Sequence, residues 1–212
     1  MAFNFYALKL CGVCIIVFLM QILIPGFTEL FLQSQDRIFE IWRFVTSIFL
    51  HGDLGHLLYN LFALALFGSI VERFIGGKKF LVTFFASGIL ASLISVNFYT
   101  SSLGASGAIF GVIGILIVLR PLMMIWAFGM PMPVILAGIL WAAGDIIGAY
   151  AFISGDPIDR TGNIAHLSGM VFGFILGFLF KDKRSFNRFR EEGEIDEKII
   201  RDWEDKHILG TR

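Results

Sequence analysis

Four residues of this chain could do chemistry together: Ser106, His166, His56 and Asn60. A serine hydroxyl is a weak nucleophile at neutral pH and needs a base within hydrogen-bond reach; histidine, with a pKa of about 6.5, is the usual one. Ser106 sits in the small-residue run Gly104-Ala105-Ser106-Gly107-Ala108-Ile109-Phe110-Gly111. The chemistry this predicts is acyl transfer, with Ser106 attacking a carbonyl and His166 taking its proton. Acyl transfer also needs donors aimed at the developing oxyanion. His56 and Asn60, four apart and so on one face of a helix, are the candidates, with the Ser106 backbone N–H. No third, acidic member is expected: Asp145 is the only acid predicted in mid-membrane, and Asn163 is the better-placed neighbour of His166. The expectation is a Ser106–His166 dyad.

The elements that must position these groups are membrane helices. Of 212 residues, 57% are hydrophobic and 16% charged, with mean hydropathy +0.79, which excludes an ordinary soluble domain. Charge is concentrated in the C-terminal tail, and nucleic acid is excluded as a partner. Cys11 and Cys14 lie one turn apart in the first apolar run and read as packing residues. Six spans are predicted: about Tyr6 to Ile24, Asp53 to Arg73, Phe80 to Phe98, Ser106 to Leu119, Pro133 to Phe152 and Asn163 to Phe180. The first reads as an uncleaved anchor. The turn Gly76-Gly77-Lys78-Lys79 precedes the third, Arg120-Pro121 stops the fourth, and Asp53 is the expected N-cap of the second. The loop from Gly26 to Gly52 carries Trp42-Arg43, which reads as an interfacial anchor.

Lysine and arginine place both termini in the cytoplasm: Lys9, Arg73, Lys78, Lys79, Arg120, Lys181, Lys183, Arg184, Arg188 and Arg190 face one side, and Arg37, Arg43 and Arg160 the other. The second, fourth and sixth spans then all begin at the outer face, which brings His51, His56, Asn60, Ser106 and His166 to one depth. Ionisable groups are costly there and usually functional. Ser106 to Leu119 would make a helix of about 21 Å against a hydrocarbon core of about 30 Å. Ser106 is therefore expected below the outer surface, in a water-fed cavity. Gly107, Gly111 and Gly114 form one small-residue stripe and Gly169, Gly173 and Gly177 another, the spacing that lets helices approach closely.

Rival readings are weaker. A transporter built on His56, His166 and Asp145 needs a polar path through both leaflets, and these groups cluster in one. Taken alone, Asp145 reads as a carboxylate hydrogen-bonded inside the bundle, and His51 as a satisfied structural donor. His51 and His56 are five apart, about 140° around a helix, unlike the i, i+4 pair of a zinc HExxH helix, so no metal and no cofactor is expected. The tail, 183–212, with Ile199, Ile200, Trp203 and Ile208 at partly helical spacing, reads as a cytoplasmic appendage to a six-helix unit over 1–182. Nothing in the sequence specifies an oligomeric state.

Taken together, Gly104-Ala105-Ser106-Gly107 opening a helix, His51 with His56 and Asn60 as HxxxxHxxxN, Gly162-Asn163-Ile164-Ala165-His166-Leu167-Ser168-Gly169, and Trp42-Arg43 resemble the rhomboid family of intramembrane serine proteases. Glu72, near the end of the second span, also matches. The resemblance covers about Ile41 to Phe180. It implies an all-α polytopic membrane protein, a six-transmembrane-helix bundle with a partly membrane-embedded first loop. It also implies a Ser106–His166 dyad, an oxyanion site from His56, Asn60 and the Ser106 amide, and cleavage of transmembrane protein substrates near their outer ends in the lipid bilayer. His51, Gly104, Gly107 and Asn163 would support that site, with Trp42, Arg43, Glu72, Gly169 and Gly173 structural. Phe110 stands where bacterial relatives often carry a tyrosine stacking on the histidine; the aromatic face is kept. The compact form looks like the prokaryotic members, implying a multi-pass protein of a prokaryotic plasma membrane.

Overall fold

In lipid every backbone amide must find a partner within its own segment, so uncharged apolar runs become helices. The computed structural model describes residues 4–158 and 161–181. The expectations for Arg160 and for the tail from 183 fall outside them. All the helices among the described residues belong to one compact unit, Met1–Phe180.

In chain order these are α1 (Tyr6–Leu23), α2 (Phe27–Phe31) and α3 (Arg43–Thr46), then α4 (Leu54–Ala63) and α5 (Ser69–Ile75), a single rod joined through a wider π turn at Leu64–Gly68. They continue as α6 (Gly77–Ser95), α7 (Ser106–Leu119), α8 (Val134–Ile153) and α9 (Asn163–Phe180). Among the described residues, five helices are long and apolar enough to cross a membrane: α1, the α4–α5 rod, α6, α8 and α9. α7, with 14 residues, has the bounds expected for the fourth span and, as expected, falls short of that length.

Two departures from expectation have local causes. Gly76 takes φ +82°, a left-handed conformation glycine adopts freely. The chain turns there on one residue, and Gly77, Lys78 and Lys79 join the first turn of α6 instead of forming a loop. Among the described residues the helical bundle also carries two small antiparallel ladders, which the sequence reading does not anticipate. β1 (Gln33–Ser34) pairs with β2 (Ser101–Ser102), and β3 (Met124–Ala127) pairs with β4 (Met130–Pro133).

The helix bearing Ser106 lies at the centre. Ten of the fourteen α7 residues are buried, from Gly107 to Val118, and the two glycine stripes explain how. A Cβ on Gly169 would run into the Gly107 carbonyl, one on Gly173 into the Gly111 carbonyl, and one on Gly114 into the Met170 carbonyl. The α7 and α9 backbones are therefore in direct contact. On the other flank, Gly88 of α6 admits Ile48 and Ala108, and Ser87 packs on Gly111.

Candidate active site

Ser106 is the first residue of α7, so its own amide and the next few lack a carbonyl one turn back and carry the positive end of the helix dipole. The segment leading to it is strapped to the first loop. β2 pairs with β1, the Gln35 amide donates to the Thr100 carbonyl at 3.1 Å, and the Gly104 amide donates to the Ser47 carbonyl at 2.9 Å. Gly104 adopts φ +119°, and a Cβ there would lie 2.7 Å from His56 Cε1 and 2.9 Å from His56 Nε2. The absent side chain is thus where the His56 ring sits, two residues before Ser106.

His166 approaches from the other side. Its preceding carbonyl, Ala165 O, faces Gly107, and its ring stacks on Phe110 at 4.3 Å between centroids with 7° between planes. Phe110 is four residues beyond Ser106 and on the same face of α7. The start of α9 is held by Tyr99, whose hydroxyl accepts from the Ile164 amide at 3.1 Å. The imidazole is oriented from α8: His166 Nδ1 lies 3.0 Å from Asp145 Oδ1. With Nδ1 as the donor to this carboxylate, the basic lone pair is left on Nε2.

This contact corrects the sequence reading. The Asn163 side chain packs on Gly148 of α8 and donates to the Thr161 carbonyl at 3.3 Å, and the His166 ring hydrogen-bonds to Asp145 instead. The mid-membrane acid was the available signal, and its partner could not be read because the rotation of α8 about its own axis is set by packing.

On α4, Asp53 caps the helix by accepting from the His56 amide at 2.8 Å. The Gly52 amide donates weakly to His56 Nδ1 at 3.5 Å, which leaves Nε2, the atom beside Gly104, as the N–H donor of the neutral ring. Asn60 is buried and one of its amide hydrogens goes to the His56 carbonyl at 3.0 Å. His51 lies edge-on to His56 at 5.1 Å, and its Nδ1 is 3.2 Å from the Phe49 carbonyl. Burial, and next the neighbouring His56, push the His51 imidazole down to about 4. It is therefore neutral, with Nδ1–H donated to Phe49 and Nε2 without a partner. Sequence reasoning missed Gln21 of α1, whose side chain accepts from the His51 amide at 2.9 Å and donates to the His51 carbonyl at 3.1 Å.

The structural residues fall at junctions. Trp42 is half exposed, but Arg43 is buried and is no interfacial anchor. Its guanidinium donates to the carbonyls of Glu29 (2.9 Å) and Leu32 (2.7 Å) and pairs with Glu40 at 2.7 Å, so it gathers the first loop around one cation. Glu72, buried on α5, accepts from the Tyr6 and Ala7 amides at 3.1 Å each, capping the start of α1 across the fold.

Residues 39–183 match the description Rhomboid domain. The chain is 30% identical to rhomboid protease GlpG of Haemophilus influenzae over 186 residues, 81% of this chain and 88% of that protein. It is 32% identical to RHOMBOID-like protein 1 of Arabidopsis thaliana, over 72% of this chain and 38% of that protein. To rhomboid protease GluP of Bacillus subtilis it is 46% identical over 80 residues, 37% of this chain and 16% of that protein. The chain thus spans well under half the length of the last two.

Proposed function

The chain belongs to the rhomboid family, and from that membership together with the Asp145–His166 contact we propose that it is an intramembrane serine endopeptidase. In this reading Ser106 Oγ attacks the carbonyl carbon of a peptide bond in a transmembrane substrate while His166 Nε2 takes the hydroxyl proton. Asp145 holds the ring in the productive tautomer and stabilises the imidazolium that forms. Phe110 limits the ring to one plane. The tetrahedral oxyanion is received by the Ser106 amide, His56 Nε2–H and the second amide hydrogen of Asn60. Imidazolium then protonates the leaving amine as the C–N bond breaks; water, deprotonated by the same histidine, attacks the Ser106 ester, and the histidine returns that proton to Ser106 Oγ as the new carboxyl terminus leaves. Cleavage falls near the outer end of the substrate, at the level where α7 begins, and both termini of the chain face the cytoplasm.

The observation that carries this reading is a buried carboxylate–imidazole pair set against the helix that starts with Ser106. Its test is reconstitution in lipid vesicles with a tagged transmembrane segment. Cleavage by the native chain, lost in Ser106→Ala and in His166→Ala, is expected; cleavage that survives either substitution overturns the assignment.

A further inference from the structure

The segment after α7 has no charged residue between Arg120 and Asp145, yet it is not a plain inter-helix loop. Residues Phe128 and Gly129, at φ 53° and 78°, make the two-residue turn that suits the twist of a hairpin, and Ala127 pairs with Met130 across it. Ile125, Ala127 and Met132 are buried and join the core, whereas Met124, Trp126, Phe128, Met130 and Pro131 are exposed. An apolar face of this kind in water would be an association site.

One edge of its backbone is adapted to a different solvent. Pairs in an antiparallel ladder alternate between hydrogen-bonded and non-bonded, and a two-residue turn makes Ala127–Met130 a bonded pair. The Val134 amide donating to the Met123 carbonyl at 2.9 Å keeps the same phase. Pro131 and Pro133, opposite Trp126 and Met124, therefore occupy the two non-bonded positions of β4. These are the positions whose nitrogens point away from the hairpin, and proline has no N–H to leave there. The free edge of β4 thus carries none of the donors that hydrocarbon cannot satisfy.

Position points the same way. α8 has 20 residues, about 30 Å of helix, the thickness of the hydrocarbon core, so Val134 marks its edge. Trp141 is seven residues further in, about 10 Å along the axis, and the Phe128 ring at the hairpin tip lies 5.7 Å from it. The tip thus folds back along α8 instead of pointing away from the bundle.

We infer that the β3–β4 hairpin is a lipid-seated element: at the end of the bundle opposite Ser106 it dips into the bilayer, with Met124, Trp126 and Phe128 against acyl chains. The test needs no proteolysis. In a Cys11→Ala/Cys14→Ala background, nitroxides are placed singly on Trp126→Cys and Phe128→Cys, and the full chain is reconstituted in phosphatidylcholine vesicles. Accessibility to oxygen several-fold above that to an aqueous nickel chelate is expected. Nickel access equal to or above that of oxygen overturns the inference in favour of an aqueous loop; exclusion of both overturns it in favour of a protein contact, a second copy included. As a label-free check, vesicles brominated in mid-chain quench native tryptophan emission, and Trp126→Phe removes part of that quenching. An unchanged quenched fraction counts against lipid contact.

Discussion

Asp145 Oδ1 and His166 Nδ1, on neighbouring helices and 21 positions apart in the chain, meet at 3.0 Å with both side chains buried. If the carboxylate sets the imidazole tautomer, Asp145→Asn keeps the shape and loses the orientation. The expected result is a fall in kcat of about a hundredfold or more with KM little changed, read from initial rates in vesicles. Asn163→Ala, which removes a packing contact on Gly148, is expected to leave kcat within about threefold of native.

The strain at Gly104 is a second handle. An alanine there would have to adopt φ +119° and place a methyl within 3 Å of the His56 ring. Gly104→Ala is expected to cost about 1–3 kcal/mol in stability and to reduce cleavage further by displacing His56. Thermal unfolding in bicelles and rate measurements on the same sample separate the two effects.

Arg43 tests the first loop. Lysine carries the charge but cannot reach two carbonyls and a carboxylate at once. Arg43→Lys is therefore expected to destabilise the protein nearly as much as Arg43→Ala, on the order of 1–3 kcal/mol for carbonyls left unpaired. Proteolytic nicking between Phe31 and Glu40 would report it, and full rescue by lysine would show the charge alone to suffice.

His51 gives a pH dependence with a definite sign. Its imidazole is held at about 4 in the folded chain, against an ordinary value of 6.5, so the unfolded chain binds the proton more readily. The stability this contributes is complete above pH 6.5 and is lost as pH falls toward 4, on the order of 3 kcal/mol. His51→Asn should flatten the decline in unfolding temperature across that window.

The helices that hold the site were legible because their ends are chemically marked. Arg120-Pro121 closes α7, the small-residue run Gly104-Ala105 opens it, and the Gly107–Gly111 and Gly169–Gly173 stripes announced the contact that the two backbones make. What sequence could not supply was azimuth and return paths. Asp145 meets His166 only because of how α8 is rotated. Arg43 is buried only because the chain from Glu29 to Leu32 folds back over it. The hairpin was hidden because Met-Pro-Met-Pro beside Trp and Phe has neither helical nor strand periodicity long enough to register.

The π turn at Leu64–Gly68 acts as a phase corrector. Asn60 and Glu72 are both buried polar residues of one rod, twelve positions apart; a regular helix would set them about 120° apart in azimuth. Absorbing one extra residue in the wider turn reduces that to about 20°. One side of the rod can then carry Asn60, bonded to the His56 carbonyl, near one end and Glu72, at the start of α1, near the other. The length of this rod is thus fixed to the residue, and a single deletion within it would turn its two working ends away from each other without removing either one.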